Sequence, residues 1–370
     1  MAGRTHIGAS GRLDQVDGLR AVAIAWVVLY HYAVFWTPAG KGDPLLPYGD
    51  VLSGLPLANV GGLGVSLFFC VSGFVISYSL SRAEGPVHFA ALRMIRLWPT
   101  LLFCATVTFA LTSLLGPASL QRTFFDYLVS LTFVPPQHVG ALTGHAGGQW
   151  LDGAYWSLWT EVRFYIVAAI LFFAAPRRFL RVWTVFAVIC AAIHLVALRN
   201  GGAMDALSRL LFAEYQPFFT AGIALATLRR DRSRAALALL VFAIVQSFGY
   251  AVLSGEMTGD LALGLVIVFA LAVPVMLARR AVPLLSLGPV VLAGQASYAY
   301  YLLHQNAGIA LTAALAPGGT DGQIAVMLAV QVALLALALV ATRRLEEPLR
   351  RALRWRIAPR IPRQRLEAAE

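Results

Sequence analysis

The chain has 370 residues, of which 59% are apolar and 13% are charged, and its mean hydropathy is +0.73. Soluble domains are about half apolar and a quarter charged, so this composition excludes an ordinary soluble fold. The formal net charge of +11 would suit binding to a nucleic-acid backbone, but the placement of the basic residues excludes that class and favours a membrane protein.

Ten apolar blocks of roughly 18–20 residues, each long enough to cross a bilayer as a helix, follow one another along the chain. They predict an all-α fold, a polytopic membrane helical bundle of about ten transmembrane helices that forms a single domain over residues 1–370. With a cytoplasmic N-terminus, the inner segments hold 24 of the 29 basic residues, which predicts that both termini are cytoplasmic. The segment 124–134 is expected to be re-entrant or interfacial. The predicted spans are 19–36, 60–80, 99–115, 158–175, 183–199, 212–228, 235–253, 261–278, 297–315 and 323–342.

The polar segment 1–18 lacks the short apolar stretch and cleavage site of a signal peptide, so we expect the first span to remain as an anchor. The tail, 343–370, is strongly basic and is expected to lie on the anionic inner leaflet. Three cysteines lie in apolar spans, where we expect them to pack as small residues and to form neither a disulfide framework nor a metal site. They are Cys70, Cys104 and Cys190.

The first span carries an ionisable group at membrane depth, His31, where an unpaired charge is costly. Arg20 precedes it by eleven residues, which on a helix returns to within about 20° of the same face and rises roughly 16 Å. Asp17, three residues before Arg20, is placed to pair with it. One helix face therefore carries a cation at the inner boundary and an imidazole about the length of a pantetheine arm above it. The alternative is a buried histidine bonded to a neighbouring helix.

Small residues open the second span, in GGLGVSLFFCVSGFVI at 61–76, and predict close helix contacts that bring the polar faces of neighbours together. Ser72 in this stretch is either a nucleophile or, as is common for Ser–Gly in a membrane helix, a packing contact. The basic segment that follows, 81–98, is predicted to be an inner loop, with Pro99 in the first turn of the third span.

Two arginines of that basic segment, Arg93 and Arg96, are three residues apart and share a face if the segment is helical. Guanidinium groups bind phosphate through two hydrogen bonds at once, so the pair predicts an anion site at the inner surface. The alternative is a topology signal that faces lipid headgroups.

The longest segment between spans, 116–157, contains prolines, glycines and aromatic residues and is predicted to be an irregular outer loop, which is usually functional or disordered. It leads into YWSLWTEVRFY at 155–165, where Glu161 and Arg163 fall inside a span and point to different sides. Glu161 is expected to orient a histidine, as carboxylates do in catalytic sites. A structural ion pair is the alternative.

The ninth span begins with SYAYYLLHQN at 297–306. Tyr300 and Tyr301 lie four and three residues before His304 and therefore share its side of a helix. They predict a polar, aromatic wall, which alone could equally line a channel.

Taken in order, these motifs resemble the acyltransferase-3 family of membrane enzymes, which O-acylate sugars, peptidoglycan, lipopolysaccharide and some macrolide antibiotics. The resemblance covers nearly the whole chain and implies a ten-helix core, an acyl-coenzyme A donor, a catalytic histidine in the first span and donor binding by the arginine pair. Many members carry an additional esterase-like domain, and the chain is expected to resemble the stand-alone members without one. The motifs are Arg20…His31, FFCVSGF, Arg93-Met-Ile-Arg96-Leu-Trp-Pro99, WSLWTEVRFY, SYAYYLLHQ and Glu347-Pro348.

The resulting hypothesis is an O-acyltransferase of the plasma or inner membrane. It moves an acyl group, with acetyl as the expected group, from acyl-coenzyme A to a hydroxyl of a glycan, glycolipid or macrolide-type acceptor. A thioester is already activated, so the reaction needs a base and oxyanion stabilisation, and we expect no metal and no bound cofactor. The predicted site residues are His31 and Glu161 for catalysis, Arg20, Arg93 and Arg96 for the donor, and His304, Tyr300, Tyr301 and Ser72 for the acceptor or oxyanion.

Other classes stay open on the sequence. A transporter or flippase of a polar or lipid-linked substrate would also have ten helices with buried charge, but labelled acetyl-coenzyme A would then give no covalent product. The other membrane O-acyltransferase superfamily also uses a buried histidine, but it typically has an asparagine or aspartate far upstream, and the motif order here fits it poorly. Zinc ligation by two histidines and a glutamate is a further alternative.

Overall fold

The computed structural model describes residues 13–38, 40–144, 147–316, 319–349 and 351–352. These residues form helices joined by turns and loops, with no β-strand among them. Eight helices are long and apolar enough to cross a membrane, so the all-α membrane class is confirmed. Most of the basic tail predicted at 343–370 lies outside the described residues. The eight helices are Asp14–Phe35, Leu63–Arg82, Pro86–Leu115, Gly153–Ala174, Pro176–Asn200, Arg234–Leu253, Gly259–Leu277 and Thr320–Leu349.

Two π-helical turns continue the first and the last of the α-helices. The π-helical turns are His31–Phe35 and Thr342–Glu346. The α-helices are α1 (Asp14–Tyr30), α2 (Leu63–Arg82), α3 (Pro86–Leu115), α4 (Phe124–Ser130), α5 (Pro136–Thr143), α6 (Trp156–Ala174), α7 (Phe179–Asn200), α8 (Gly202–Leu210), α9 (Gln216–Asp231), α10 (Arg234–Leu253), α11 (Gly259–Leu277), α12 (Gly288–Leu303), α13 (Asn306–Leu315) and α14 (Thr320–Ala341).

Two predicted spans, 212–228 and 297–315, do not form single long helices. The first is α9, which begins at Gln216 and has 16 residues, most of them buried. The second is divided between α12 and α13 by a break at His304 and Gln305, so the prediction of one continuous ninth span was wrong. A helix that other helices surround does not meet the lipid, so its length need not match the hydrocarbon core.

The predicted inner loop at 81–98 is also wrong over most of its length, because α3 starts at Pro86 and runs for 30 residues. Proline has no N–H group, and the first turn of a helix would leave that group unpaired, so Pro86 favours a helix start at this position. Pro99 consequently lies inside α3 rather than in its first turn. Arg93 and Arg96 therefore lie on one continuous helix and share a face.

Glycines let α1, α2, α9 and α12 approach one another through their backbones. A Cβ added to Gly73 would lie 2.2 Å from the carbonyl oxygen of Phe219 in α9, and one added to Gly294 would lie 1.8 Å from that of Asp17 in α1. Side chains at these positions would force the helices apart. The prediction that small residues bring the second span close to its neighbours is confirmed, and the same device brings α1 against α12.

The described part of the outer loop, 116–157, is held by capping groups. The short helix α4 lies in the predicted piece 124–134 and begins with a capping box, in which the side chains of Thr123 and Asp126 each accept from the other's backbone N–H. Asp126 also accepts from the N–H of Gln149 at 2.9 Å. The loop is therefore tied to itself just before it enters α6.

Candidate active site

His31 lies where the regular geometry of the first span changes. α1 ends at Tyr30, and a π-helical turn begins at His31, whose carbonyl accepts from the N–H of Trp36 at 3.3 Å. The ring is half-buried, and the rings of Tyr30 and Phe35 flank it with centroids 5.5 Å away. Single π-turns within α-helices occur frequently at functional sites, because they change the direction of one side chain.

The two predicted histidines form a direct pair. His31 Nδ1 and His304 Nε2 are 3.0 Å apart, within hydrogen-bond distance. On its other side, His304 Nδ1 lies 2.8 Å from the carbonyl oxygen of Tyr301, which can only accept. In the neutral pair His304 Nδ1 therefore carries its proton, and His304 Nε2 accepts from His31 Nδ1. The lone pair of His31 is left on Nε2, outside this chain of bonds.

His304 is fully buried and lies at the break between α12 and α13. The hydroxyl of Tyr32 donates to the carbonyl oxygen of His304 at 2.6 Å. The carboxylate of Asp152 accepts from the backbone N–H of Asn306 and from that of Ala154, each at 2.8 Å. It thus satisfies an N–H group that the start of α13 would leave unpaired. The outer loop therefore fixes the break that positions His304.

Asp152 is fully buried just before the membrane span that starts at Gly153. Burial raises the pKa of its carboxyl group to about 7, although its two backbone N–H bonds and the charge of Arg122 act in the opposite direction.

The tyrosines predicted to share the side of His304 do so. The ring centroids of Tyr301 and Tyr300 lie 5.4 Å and 6.2 Å from that of His304. The Tyr301 hydroxyl donates to the carbonyl of Ala154 at 2.9 Å, and the Tyr300 hydroxyl donates to Gln331 Oε1 at 2.8 Å. The predicted aromatic wall is present, and its hydroxyl groups tie α12 to the turn directly before α6 and to α14.

A cavity lies among α1, α2, α3, α6 and α12. Its walls include all three arginines that the sequence assigned to the donor, Arg20, Arg93 and Arg96. Arg20 lies 3.7 Å from Asp17, the partner that the spacing predicted. The Nε atom of Arg93 is buried without a hydrogen-bond partner in the described residues. The cavity therefore offers an anionic ligand positive charge and at least one N–H group that is free to donate a hydrogen bond.

Glu161 and Ser72 face the same cavity and contact each other. Ser72 Oγ donates to Glu161 Oε1 at 2.7 Å, and the hydroxyl of Tyr165 donates to the same oxygen. These described bonds attach Glu161 to the cavity wall and not to a histidine. Arg163 points elsewhere, with its guanidinium 5.0 Å from the ring of Trp159, so the two charges lie on different sides of α6 as predicted.

The cavity ends before it reaches the histidine pair. Tyr301 belongs to its wall, but neither His31 nor His304 does. The rings of Phe68 and Tyr301 meet edge to face at this end, with centroids 6.2 Å apart. Both rings belong to the cavity wall, and the ring of Tyr301 also contacts that of His304. Within the part of the chain that the structure describes, no cluster of His, Cys, Asp and Glu could hold a metal ion.

A family profile described as an acyltransferase domain, of the acyltransferase-3 type, matches residues 13–343. The chain belongs to the acyltransferase-3 family. One similar protein is named O-acetyl transferase, from Shigella phage Sf6, and is 28% identical over 159 residues, which cover 42% of this chain and 44% of the relative. Another is named Nodulation protein 10, from Rhizobium leguminosarum bv. viciae, and is 26% identical over 185 residues, which cover 46% of this chain and 47% of the relative. The matches span less than half the length of these curated relatives, and no solved structure matches the chain.

Sequence reasoning on this acyltransferase-3 chain missed Asp152 and Tyr32, which hold the helix break at His304. Neither residue stands out in the sequence, since Asp152 lies in the loop and Tyr32 resembles other interfacial aromatics. The sequence did contain one signal for Asp152: it is an acidic residue that directly precedes an apolar span, and that span opens with aromatic residues.

Proposed function

We propose that the chain is a membrane O-acyltransferase that moves an acyl group, with acetyl as the expected group, from acyl-coenzyme A to a hydroxyl of a glycan, glycolipid or macrolide-type acceptor. The observation that carries the proposal is the unused lone pair on His31 Nε2, roughly 16 Å along α1 from Arg20, one of the three arginines that line the cavity. This arrangement suits a long anionic donor whose reactive end is far from its phosphates. The relative named O-acetyl transferase supports the same class of reaction.

The donor binds through its phosphates in the proposed complex. Arg20, Arg93 and Arg96 hold them, because guanidinium groups match phosphate oxygens in shape and charge. The pantetheine arm then follows α1 and α12 and displaces the contact between Phe68 and Tyr301, so that the thioester reaches the histidine pair. Glu161 and Ser72 lie on the cavity wall, and we assign them to positioning the donor.

His31 acts as the general base. Its Nε2 takes the proton from the acceptor hydroxyl while the acceptor oxygen forms a bond to the thioester carbonyl carbon. The tetrahedral intermediate then loses the thiolate of coenzyme A by cleavage of the C–S bond, and the thiolate takes the proton from the imidazolium. His304 accepts from Nδ1 throughout, so it keeps His31 in the required tautomer, as the aspartate does in a serine-protease triad. Tyr300 and Tyr301 complete the wall near the acceptor and the oxyanion.

The proposal includes ten membrane crossings and two cytoplasmic termini in a plasma or inner membrane. Eight long helices, α9 and the α12–α13 pair would supply the ten crossings. The excess of basic residues in the inner segments supports this orientation. The arginines would then face the cytoplasm, where acyl-coenzyme A is made.

The test supplies acetyl-coenzyme A, labelled in the acetyl group, to the purified protein in lipid nanodiscs with candidate acceptors, and identifies the product by mass. We expect an acceptor that is heavier by one acetyl group, with a rate at least about a hundredfold lower in His31→Ala. The control is His194→Ala, because His194 bonds to Ser208 at 2.8 Å, outside the site. Normal transfer by a folded His31→Ala protein would overturn the mechanism. Transport of acceptor with no labelled product would favour a transporter.

A further inference from the structure

The donor cavity contains one hydroxyl group that has no partner in the described residues. Six side-chain hydroxyls belong to residues of the cavity wall. Five of them hydrogen-bond to protein groups, which are Ser72 to Glu161, Ser157 to Tyr301, Tyr165 to Glu161, Tyr298 to Leu97 and Tyr301 to Ala154. The sixth, Ser297 Oγ, is buried and makes no such bond, and the residue is 0% exposed.

A serine hydroxyl in a helix has the carbonyl group one turn earlier within its reach. Ser77, Ser247 and Thr312 all donate to that carbonyl in their own helices. Ser297 does not, although it lies within α12. A buried polar atom without a partner destabilises the folded protein. A ligand that accepts a hydrogen bond from Ser297 would remove this cost.

The position of Ser297 indicates which part of the donor it meets. Ser297 lies seven residues before His304, which on a helix is the same face and roughly 10 Å along the axis. Tyr301 lies between them on that face and belongs to the cavity wall. A chain that extends from the arginines to the imidazoles therefore passes the Ser297 hydroxyl before it reaches Tyr301.

We infer that Ser297 Oγ donates a hydrogen bond to an amide carbonyl of the pantetheine arm, so that the cavity recognises the arm as well as the phosphates. This inference rests on the proposed function, because it takes coenzyme A as the donor. The arm offers amide carbonyl oxygens at positions where an acyl chain of the same length would offer only CH₂ groups. Ser297 is a binding residue in this scheme and takes no part in the chemistry.

The test compares two ligands, coenzyme A and adenosine 3′,5′-bisphosphate, which has phosphates but no arm. Binding to the full-length protein in nanodiscs is measured by calorimetry for the wild type, Ser297→Ala and Ser286→Ala. Ser286 is the matched control, because its hydroxyl is also buried and unpaired in the described residues but lies outside the cavity. We expect Ser297→Ala to raise the Kd of coenzyme A about fivefold and to leave the Kd of the bisphosphate unchanged. Ser286→Ala should change neither.

Retained binding of the bisphosphate shows that the Ser297→Ala protein is folded. An unchanged Kd for coenzyme A would overturn the inference and leave the proposed function intact. An equal loss for both ligands would mean that the hydroxyl contacts phosphate, and it would overturn the assignment to the arm. A wild-type protein that binds neither ligand would overturn the donor assignment itself, and the inference with it.

Discussion

The donor cavity and the histidine pair are neighbouring parts of one bundle, but different kinds of contact hold them. Side chains from separate helices form the cavity, and at least Arg93 Nε and Ser297 Oγ are left unpaired there. Backbone groups hold the pair, since His304 bonds to the carbonyl of Tyr301 and offers its own carbonyl to Tyr32. The difference indicates two separate roles. The cavity has hydrogen-bonding groups available for a ligand, whereas the contacts of the histidine pair fix one tautomer of His31.

The largest expected effect comes from breaking the pair. His304→Ala should lower kcat at least about a hundredfold, because His31 loses the acceptor that holds its proton on Nδ1. The KM for acyl-coenzyme A should stay near its normal value, since His304 does not line the cavity. Steady-state kinetics measure both constants, with the exposed His138→Ala as control. A normal kcat in a folded His304→Ala protein would show that the tautomer argument is wrong.

The next largest effect is expected on stability, when the close contact between α1 and α12 is disturbed. Gly294→Ala would place a Cβ against the carbonyl of Asp17, and overpacking of this kind costs about 1–3 kcal/mol. Gly249→Ala is the matched control, because Gly249 lies inside α10 with nothing near its added Cβ. There the change should stabilise the helix by about 0.5–1 kcal/mol. Unfolding midpoints in detergent should therefore move in opposite directions, and equal shifts would refute the proposed packing.

The cavity is tested by Arg96→Gln. The KM for acyl-coenzyme A should rise about tenfold with little change in kcat, because one phosphate contact is lost while the imidazoles are untouched. Added salt should reduce the difference between variant and wild type. Arg181→Gln, at an exposed position on α7, is the control. A selective loss of kcat would place Arg96 near the reacting atoms instead.

The buried carboxyl group of Asp152 predicts a pH dependence of stability. The carboxyl group of Asp152 has a pKa of about 7 in the folded chain and an ordinary value of 3.8. Between about pH 4 and pH 7 the folded state therefore holds a proton that the unfolded state has released. This group thus lowers the stability as the pH rises through that window, and its effect is constant above it. Asp152→Asn should remove this slope from unfolding midpoints taken at pH 5, 6, 7 and 8, and parallel curves would contradict the assignment.

Helical periodicity explains what the sequence could predict. Arg20 and His31 are separated by three turns, so their shared face follows from spacing alone, and the close contacts of α2 follow from its small residues. The start of α3 at Pro86 was missed, because the arginines at 93 and 96 lower the local hydropathy and resemble a loop.

The break at His304 could not be predicted, because its cause lies elsewhere in the chain. Asp152 is 154 residues away from the Asn306 N–H that it binds, and His31 is 273 residues away from His304. No local pattern records contacts of this range. The sequence placed both histidines at depth without indicating that they touch, and the family resemblance assigned a catalytic role only to the first.

The contact between Phe68 and Tyr301 has a consequence for the membrane that houses the bundle. A continuous water column from one face to the other would let protons leak down the electrochemical gradient on which the cell depends. The arginine-lined cavity has Phe68 and Tyr301 in its wall and includes neither imidazole, so it does not by itself form such a column through the bundle.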